Sequence, residues 1–303
     1  MAIPAAYAAP LGFGTTTDSP RPRFFYPADK RFMNSSSFQE RFDFASNLIR
    51  EAGEFAFSYF QRFDTLVVRS KGQQDMASEA DLNTELLIRG RIKSRFPEDA
   101  FLGEETGRTE FSSAQGIWVI DPIDGTQPFI SGLSGWCVSI AFVLGGSLEL
   151  GFVYSPARAE LFAGGRGRAA TLNGRPIRVS TAARLTDGIV GVGYSPRVQP
   201  DEFLPVFSRL LHGGAMFHRE GSGALTLCYV ACGRLIGYVE PHINSWDCLG
   251  ALAVVQAAGG TINNFLSGDG LWQGNRVIAG PATLYPTLES LFEPENTLSP
   301  ETN

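Results

Sequence analysis

The chain has 303 residues, 44% of them hydrophobic and 18% charged, an ordinary globular composition at a length that buries a core without cross-links. A net charge of −6 gives no basic stripe for nucleic acid, and no apolar run approaches the ~18 residues of a membrane span. The four cysteines, Cys137, Cys228, Cys232 and Cys248, form no Cys-x-x-Cys pair; they predict buried thiols, a reducing cytoplasmic setting and no zinc site.

Residues 1–36 carry five prolines and runs of Thr and Ser, a tail composition without the basic start and apolar stretch of a secretory signal. Their removal is expected to leave activity intact. From Phe38 to Tyr59 apolar residues recur at three- and four-residue steps and predict one long amphipathic helix. A second is expected over Asp81–Arg95, with Leu82, Leu86 and Ile92 on one face. Strands follow at 101–102, 117–120, 138–144 and 148–154, the last two forming a hairpin across Gly145-Gly146. Asn173-Gly174 marks a turn between strands at 169–172 and 177–179.

The second half alternates. Strands are expected at 189–192, 236–239, 261–264 and 277–279, and helices at 202–211, 224–232, 246–258 and 284–292. Layered helices and sheets follow. The chain divides into an N-terminal half at 37–184, a C-terminal half at 185–295 and a C-terminal tail at 296–303.

The chemistry sits at strand ends. The strand Ile117–Ile120 runs into Asp121-Pro122-Ile123-Asp124-Gly125-Thr126. Proline fixes φ and glycine permits unusual angles, so two carboxylates three positions apart can be aimed at one point. Carboxylate oxygens sharing a point suit a hard dication, magnesium above all. Thr126 is a plausible cap for a short helix whose free N–H groups face a phosphate. Further acids stand where elements turn over: Gly103-Glu104-Glu105 after a short strand, Ser245-Trp246-Asp247 opening one helix, and Asp81 opening another. Taken singly, an acid in a helix's first turn serves the dipole.

Together, Gly103-Glu104-Glu105, the hexapeptide from Asp121, and Trp246-Asp247 ahead of Ala257-Ala258-Gly259-Gly260 resemble the inositol monophosphatase family of lithium-sensitive, fructose-bisphosphatase-like phosphatases, over about residues 38–292. The resemblance implies an α/β (α+β) fold, a layered α-β-α-β-α sandwich, assembled as a homodimer. It implies that Glu104, Asp121 and the Ile123 carbonyl hold one Mg2+, that Asp121, Asp124 and Asp247 hold a second, and that a third ion sits near Glu104. Asp81 would hydrogen-bond Thr126, Glu104 and Thr126 would position a water, and the Gly125 and Thr126 N–H groups would take the phosphate. Adjacent dications can activate water and stabilise a leaving oxygen, and phosphoryl transfer asks mostly for positioning and charge neutralisation.

On the substrate side, Gly221-Ser222-Gly223 matches a stretch that lines the alcohol pocket in that family, and it is also an ordinary glycine-rich helix start. Glu240 matches a glutamate that accepts from polyol hydroxyls, and it is equally an ordinary strand-end acid. Pro128 replaces a common Asn, and Gly223 stands where inositol-specific members carry Ala. The expected function is Mg2+-dependent hydrolysis of a small phosphomonoester, inositol monophosphatase-like. Histidinol phosphate, sugar phosphates and nucleotide phosphates are alternatives, and a non-catalytic regulatory protein that keeps the fold is a remote one. His212, His218 and His242 lack ligand spacing, and Gly221-Ser222-Gly223 lacks the third glycine of a dinucleotide fingerprint.

Overall fold

The computed structural model describes residues 35–72, 75–109 and 116–293. Most of the expected N-terminal tail and the whole C-terminal tail lie outside the described residues. The chain opens with α1 (Ser35–Phe60), a β hairpin of β1 (Val68–Gly72) and β2 (Asp75–Ser78), and α2 (Glu79–Arg95). Then come β3 (Ala100–Gly103), β4 (Gly107–Arg108), β5 (Ile117–Asp124) and a single short helix, α3 (Thr126–Ile130). The strands β6 (Cys137–Leu144), β7 (Ser147–Ser155), β8 (Glu160–Gly165), β9 (Arg168–Leu172) and β10 (Arg175–Pro176) follow as a meander.

The second half holds β11 (Ile189–Val192), α4 (Pro200–His212), β12 (Met216–His218), α5 (Gly223–Ala231) and β13 (Gly237–Ile243). It closes with α6 (Leu249–Ala257), β14 (Thr261–Ile262), α7 (Gly270–Gln273), β15 (Asn275–Gly280) and α8 (Tyr285–Ser290). The strands form an eight-stranded sheet, ordered β10-β9-β8-β7-β6-β5-β3-β4, and a five-stranded sheet, ordered β12-β11-β13-β15-β14.

Strand alternation decides the layering. In β5, Trp118 and Ile120 pack with Ala45, Ile49, Ile88 and Ile92 of α1 and α2, while Ile117 and Val119 pack with α5 and α6. The same central cluster takes in Tyr238, Val277 and Ala279 of the five-stranded sheet. That sheet's other face, through Val190, Val239 and Ile278, meets Leu210 of α4 and Leu288 of α8. The result is the expected α-β-α-β-α sandwich. Among the described residues no helix is long and apolar enough to cross a membrane, and all four cysteines are free thiols.

Several local readings need correction. Leu82 and Leu86 are exposed; the inward face of α2 carries Asp81, Thr84, Glu85, Ile88 and Ile92. A pattern built on apolar residues misses a face whose polar groups serve the site. The segment at 177–179 forms no strand, and β10 stops at Pro176, which has no N–H for a ladder. Asp247 stands in the turn before α6, which begins at Leu249.

Candidate active site

Register places the acids. β3 runs parallel to β5 with Gly103 opposite Ile120, so Glu104, just past the end of β3, and Asp121 within β5 follow paired residues. β5 pairs with β6 regularly up to Asp121 opposite Ser139, then shifts register before Asp124 opposite Cys137. A bulge of this kind re-aims side chains, and here it spans Pro122-Ile123. The Ile123 N–H donates to Asp121 Oδ1 at 2.9 Å, which fixes that carboxylate. Gly125 has φ of 96°, and a Cβ there would meet Gly135 O at 2.7 Å, so only glycine fits.

One oxygen each from Glu104, Asp121 and Asp247 lies within 4.8 Å of the others. Asp124 is held beside them. Its Oδ2 accepts from Ser222 Oγ at 2.5 Å and from the Ala224 N–H at 2.7 Å, which ties β5 to the start of α5. Ser222 is also the N-cap of α5, accepting from the Leu225 N–H. Burial, then the charges of Glu104, Asp124 and Asp247, push Asp121 well above the usual carboxylate range. Burial, then Asp247, pushes Asp124 up to about 7 against its hydrogen bonds. Asp247 is raised by burial, with Arg197 opposing. All donors are oxygens, and the acids strain against one another. That combination fits a hard dication, which would relieve the repulsion.

Asp81 lies beneath this cluster, fully buried. It accepts from the Ser78 N–H at 2.8 Å and from Ser78 Oγ at 2.6 Å, completing a capping box on α2. Its other oxygen is 3.1 Å from Thr126 Oγ1, which is also 3.2 Å from the Ile123 carbonyl. One hydroxyl proton serves one of these acceptors at a time. Burial pushes Asp81 up to about 6. Thr126 is therefore not the cap of α3; Gly125 occupies the N-cap position.

Every sequence-named site residue except Asp81 lines one cavity of about 980 Å³: Glu104, Asp121, Ile123, Asp124, Gly125, Thr126, Gly221, Ser222, Gly223, Glu240 and Asp247. Glu240 is buried on β13, accepts from Tyr238 Oη at 2.6 Å, and is pushed by burial up to about 8. A Cβ at Gly193 would lie 2.2 Å from both Glu240 Oε2 and Tyr238 Oη, so glycine there makes their space. The ring of Pro128 fills the space a Cβ on Gly221 would need, at 2.7 Å.

The sequence pattern of the inositol monophosphatase family matches residues 38–294. The chain belongs to that family. Its relatives include the Nus factor SuhB of Haemophilus influenzae, 34% identical over 248 residues, covering 81% of this chain and 92% of that one. The Nus factor SuhB of Pseudomonas aeruginosa is 34% identical over 262 residues, covering 84% and 97%. Among solved structures, the inositol monophosphatase of Anabaena superposes with a TM-score of 0.73 at 29% identity, covering 84% of this chain and 96% of that one.

Three contributors escaped the sequence reading. Glu85, buried on α2, accepts from the Glu105 N–H at 2.8 Å and the Thr106 N–H at 2.7 Å. It thereby holds the turn that presents Glu104. A Cβ on Gly103 would fall 2.4 Å from the Glu85 carboxyl carbon, so Gly103 lets Glu85 through. The second contributor is Tyr238, beneath Glu240. The third is a pair of arginines, Arg197 and Arg219, on the cavity lining. The signal for Glu85 was there in its place four residues from Asp81, on the face left unassigned.

Proposed function

We propose that this cavity hydrolyses a small phosphomonoester with magnesium, releasing inorganic phosphate. The observation that carries the reading is the convergence of Glu104, Asp121 and Asp247 from three separate segments to within 4.8 Å. Glu104, Asp121, the Ile123 carbonyl, Asp124 and Asp247 would hold two to three ions. Bound there, such ions would supply neutralisation of phosphate charge and polarisation of water and the leaving oxygen. The chain does the rest. Glu104 and Thr126 orient the attacking water, and Asp81 holds the Thr126 hydroxyl. The backbone N–H groups of Gly125 and Thr126 take phosphate oxygens. The water oxygen bonds phosphorus in line, the ester P–O bond breaks, and the water's proton ends on the departing alcohol. Glu240 and the Gly221-Ser222-Gly223 turn face the alcohol.

Asp121→Asn tests this. Turnover is expected to fall by at least about a hundredfold, with far-UV dichroism unchanged. Magnesium should raise the melting temperature of the parent and not of the variant. Unchanged turnover would end the reading. A panel of inositol, histidinol, sugar and nucleotide phosphates ranks the substrates.

The name Nus factor on the relatives motivates a second reading, in which the same fold also serves a regulatory role by binding a macromolecule. Such a role should persist in Asp121→Asn, whereas a catalytic role should not. We also propose a cytoplasmic homodimer. In support, Met216 and Phe217 of the edge strand β12 are 70% and 50% exposed, with exposed Ile189 of β11 opposite Met216. Phe217→Glu should then shift the sedimentation coefficient toward the monomer.

A further inference from the structure

The proposed phosphatase draws its working parts from distant segments, and one side chain outside the cavity ties three segments together. Arg158 ends the 3-10 turn Pro156–Arg158, which joins β7 to β8. It does not line the cavity, yet its guanidinium has a donor on each of three segments. Nε donates to the Ser134 carbonyl at 3.1 Å, in the loop between α3 and β6. Nη1 donates to Tyr229 Oη at 2.8 Å, on α5. Nη2 pairs with Glu220 Oε1, in the turn between β12 and α5. The other oxygen of Glu220 lies 2.9 Å from His218 Nε2, on β12. A link therefore runs from the eight-stranded sheet to the five-stranded sheet through one carboxylate.

What these segments touch gives the link its meaning. A Cβ on Gly135 would meet both the Glu220 carbonyl and Glu220 Oε1 at 2.8 Å, so the loop lies directly against that acid. The Gly135 carbonyl in turn backs Gly125, 2.7 Å from where a Cβ would stand. Two residues beyond Glu220, Ser222 holds Asp124. Arg158 thus reaches the proposed phosphate cradle through Ser134-Gly135, and a proposed metal-holding carboxylate through Glu220 and Ser222.

The turn that carries Arg158 is strained. Ala159 has a φ of 53°, uncommon for a residue with a side chain. Asn173, itself at a φ of 50°, braces it: Nδ2 donates to the Ala159 carbonyl at 2.8 Å, and Oδ1 accepts from the Leu161 N–H at 2.9 Å. Strain of this kind collects at working sites. The plainer alternative is a rim ion pair, which contributes little. A planar fork attached at three points does more, because it fixes the segments relative to one another.

We propose that Arg158 is a positioning residue. By holding Ser134, Tyr229 and Glu220 at once, it keeps the Gly125-Thr126 cradle and the Ser222-bound Asp124 in register. This rests on the phosphatase reading and adds to it a residue from outside the cavity.

Three variants of the full chain test this with magnesium on the phosphomonoester panel named above. Arg158→Ala should lower kcat at least about tenfold, with KM changed less than about threefold. Arg158→Lys keeps a charge for Glu220 and loses the fork, so its kcat should still fall severalfold. Arg234→Gln is the control. Arg234 sits over the same Tyr229 ring, 5.1 Å from its centre, and pairs with Glu160 instead of Glu220; its kcat should stay within about twofold of the parent. Hydrogen exchange gives a readout free of turnover. In Arg158→Ala, amides of 131–137 and 219–225 should lose protection, and those of α2 and α8 should not. A parent-like kcat in either Arg158 variant overturns the inference, and so does a loss shared equally by Arg234→Gln. Exchange that rises everywhere, or nowhere, also overturns it. Should Arg158→Ala fail to fold, Arg158→Lys decides by the same kcat and exchange. If the parent with magnesium bound hydrolyses nothing in the panel, the phosphatase reading fails, and the exchange pattern alone decides whether Arg158 orders the two segments.

Discussion

Glu240→Gln isolates what a buried acid costs this fold. The amide keeps an oxygen to accept from Tyr238 Oη, now bonded to Glu240 Oε2 at 2.6 Å, and removes only the charge. In the folded chain Glu240 titrates at about 8, against 4.5 ordinarily, because burial disfavours the carboxylate. The folded state therefore keeps a proton that the unfolded state gives up. Stability contributed by the protonated group is present below pH 4.5 and falls as pH rises toward about 8. At roughly 1.4 kcal/mol per unit, the penalty grows by a few kcal/mol between about pH 5 and about pH 8. Urea unfolding of chelated parent and variant at those two pH values reads this directly. The variant's advantage should be larger at the higher pH by roughly 2–4 kcal/mol; taking the difference cancels the groups that do not face Glu240. A difference between the two chains that does not change with pH would refute the reasoning. On a polyol phosphate the same variant should raise KM more than it lowers kcat.

Gly103→Ala should loosen the turn under Glu104, because the new Cβ meets the Glu85 carboxyl carbon at 2.4 Å; kcat should fall at least about tenfold, with about 1–3 kcal/mol of stability lost in thermal melts. Gly125→Ala combines a φ of 96° with a backbone clash at Gly135 O; a cost of about 1–3 kcal/mol and near-complete loss of turnover are expected. Gly223→Ala is the mild counterpart. Its Cβ meets the movable end of Ile243 at 2.6 Å, so stability should change by less than about 1.5 kcal/mol while KM values across the substrate panel shift.

What was legible in the sequence was whatever repeats locally or stands in a tight motif. The long helix follows from a period of 3.6 and the hairpin at Gly145-Gly146 from a turn signal between two apolar runs, and each is in place. The hexapeptide from Asp121 declared itself because a strand, a proline and a glycine leave two acids few directions. The illegible parts were pairings between distant segments. Nothing local to Met216–His218 marks it as a strand; it becomes one by lying along Ile189–Val192. Nothing local to Arg219 sets it beside Tyr194, some two dozen residues earlier.

Glu85 shows why the inner face of α2 misled. A helix that packs on a sheet is expected to bury its leucines; this one exposes Leu82 and Leu86 and buries Asp81, Thr84 and Glu85 instead. Unpaired, such acids would weaken the fold. Each is matched by donors that lie at the site: the Ser78 N–H and Oγ for Asp81, the Glu105 and Thr106 N–H groups for Glu85. α2 thus acts as a ruler. Its two acids, four residues apart on one face, reach two different loops, one bearing Thr126 and one bearing Glu104. In the proposed site the spacing of Thr126 and Glu104 would then be set from below by a helix whose two acids do not line the cavity. Glu85→Gln would put that to the test: an amide cannot accept from both N–H groups with both of its terminal atoms, so the Glu104 turn should loosen while the Thr126 side stays in register. Magnesium affinity should then weaken at least severalfold in calorimetry. Unchanged affinity would mean the turn holds itself and the helix is only packing.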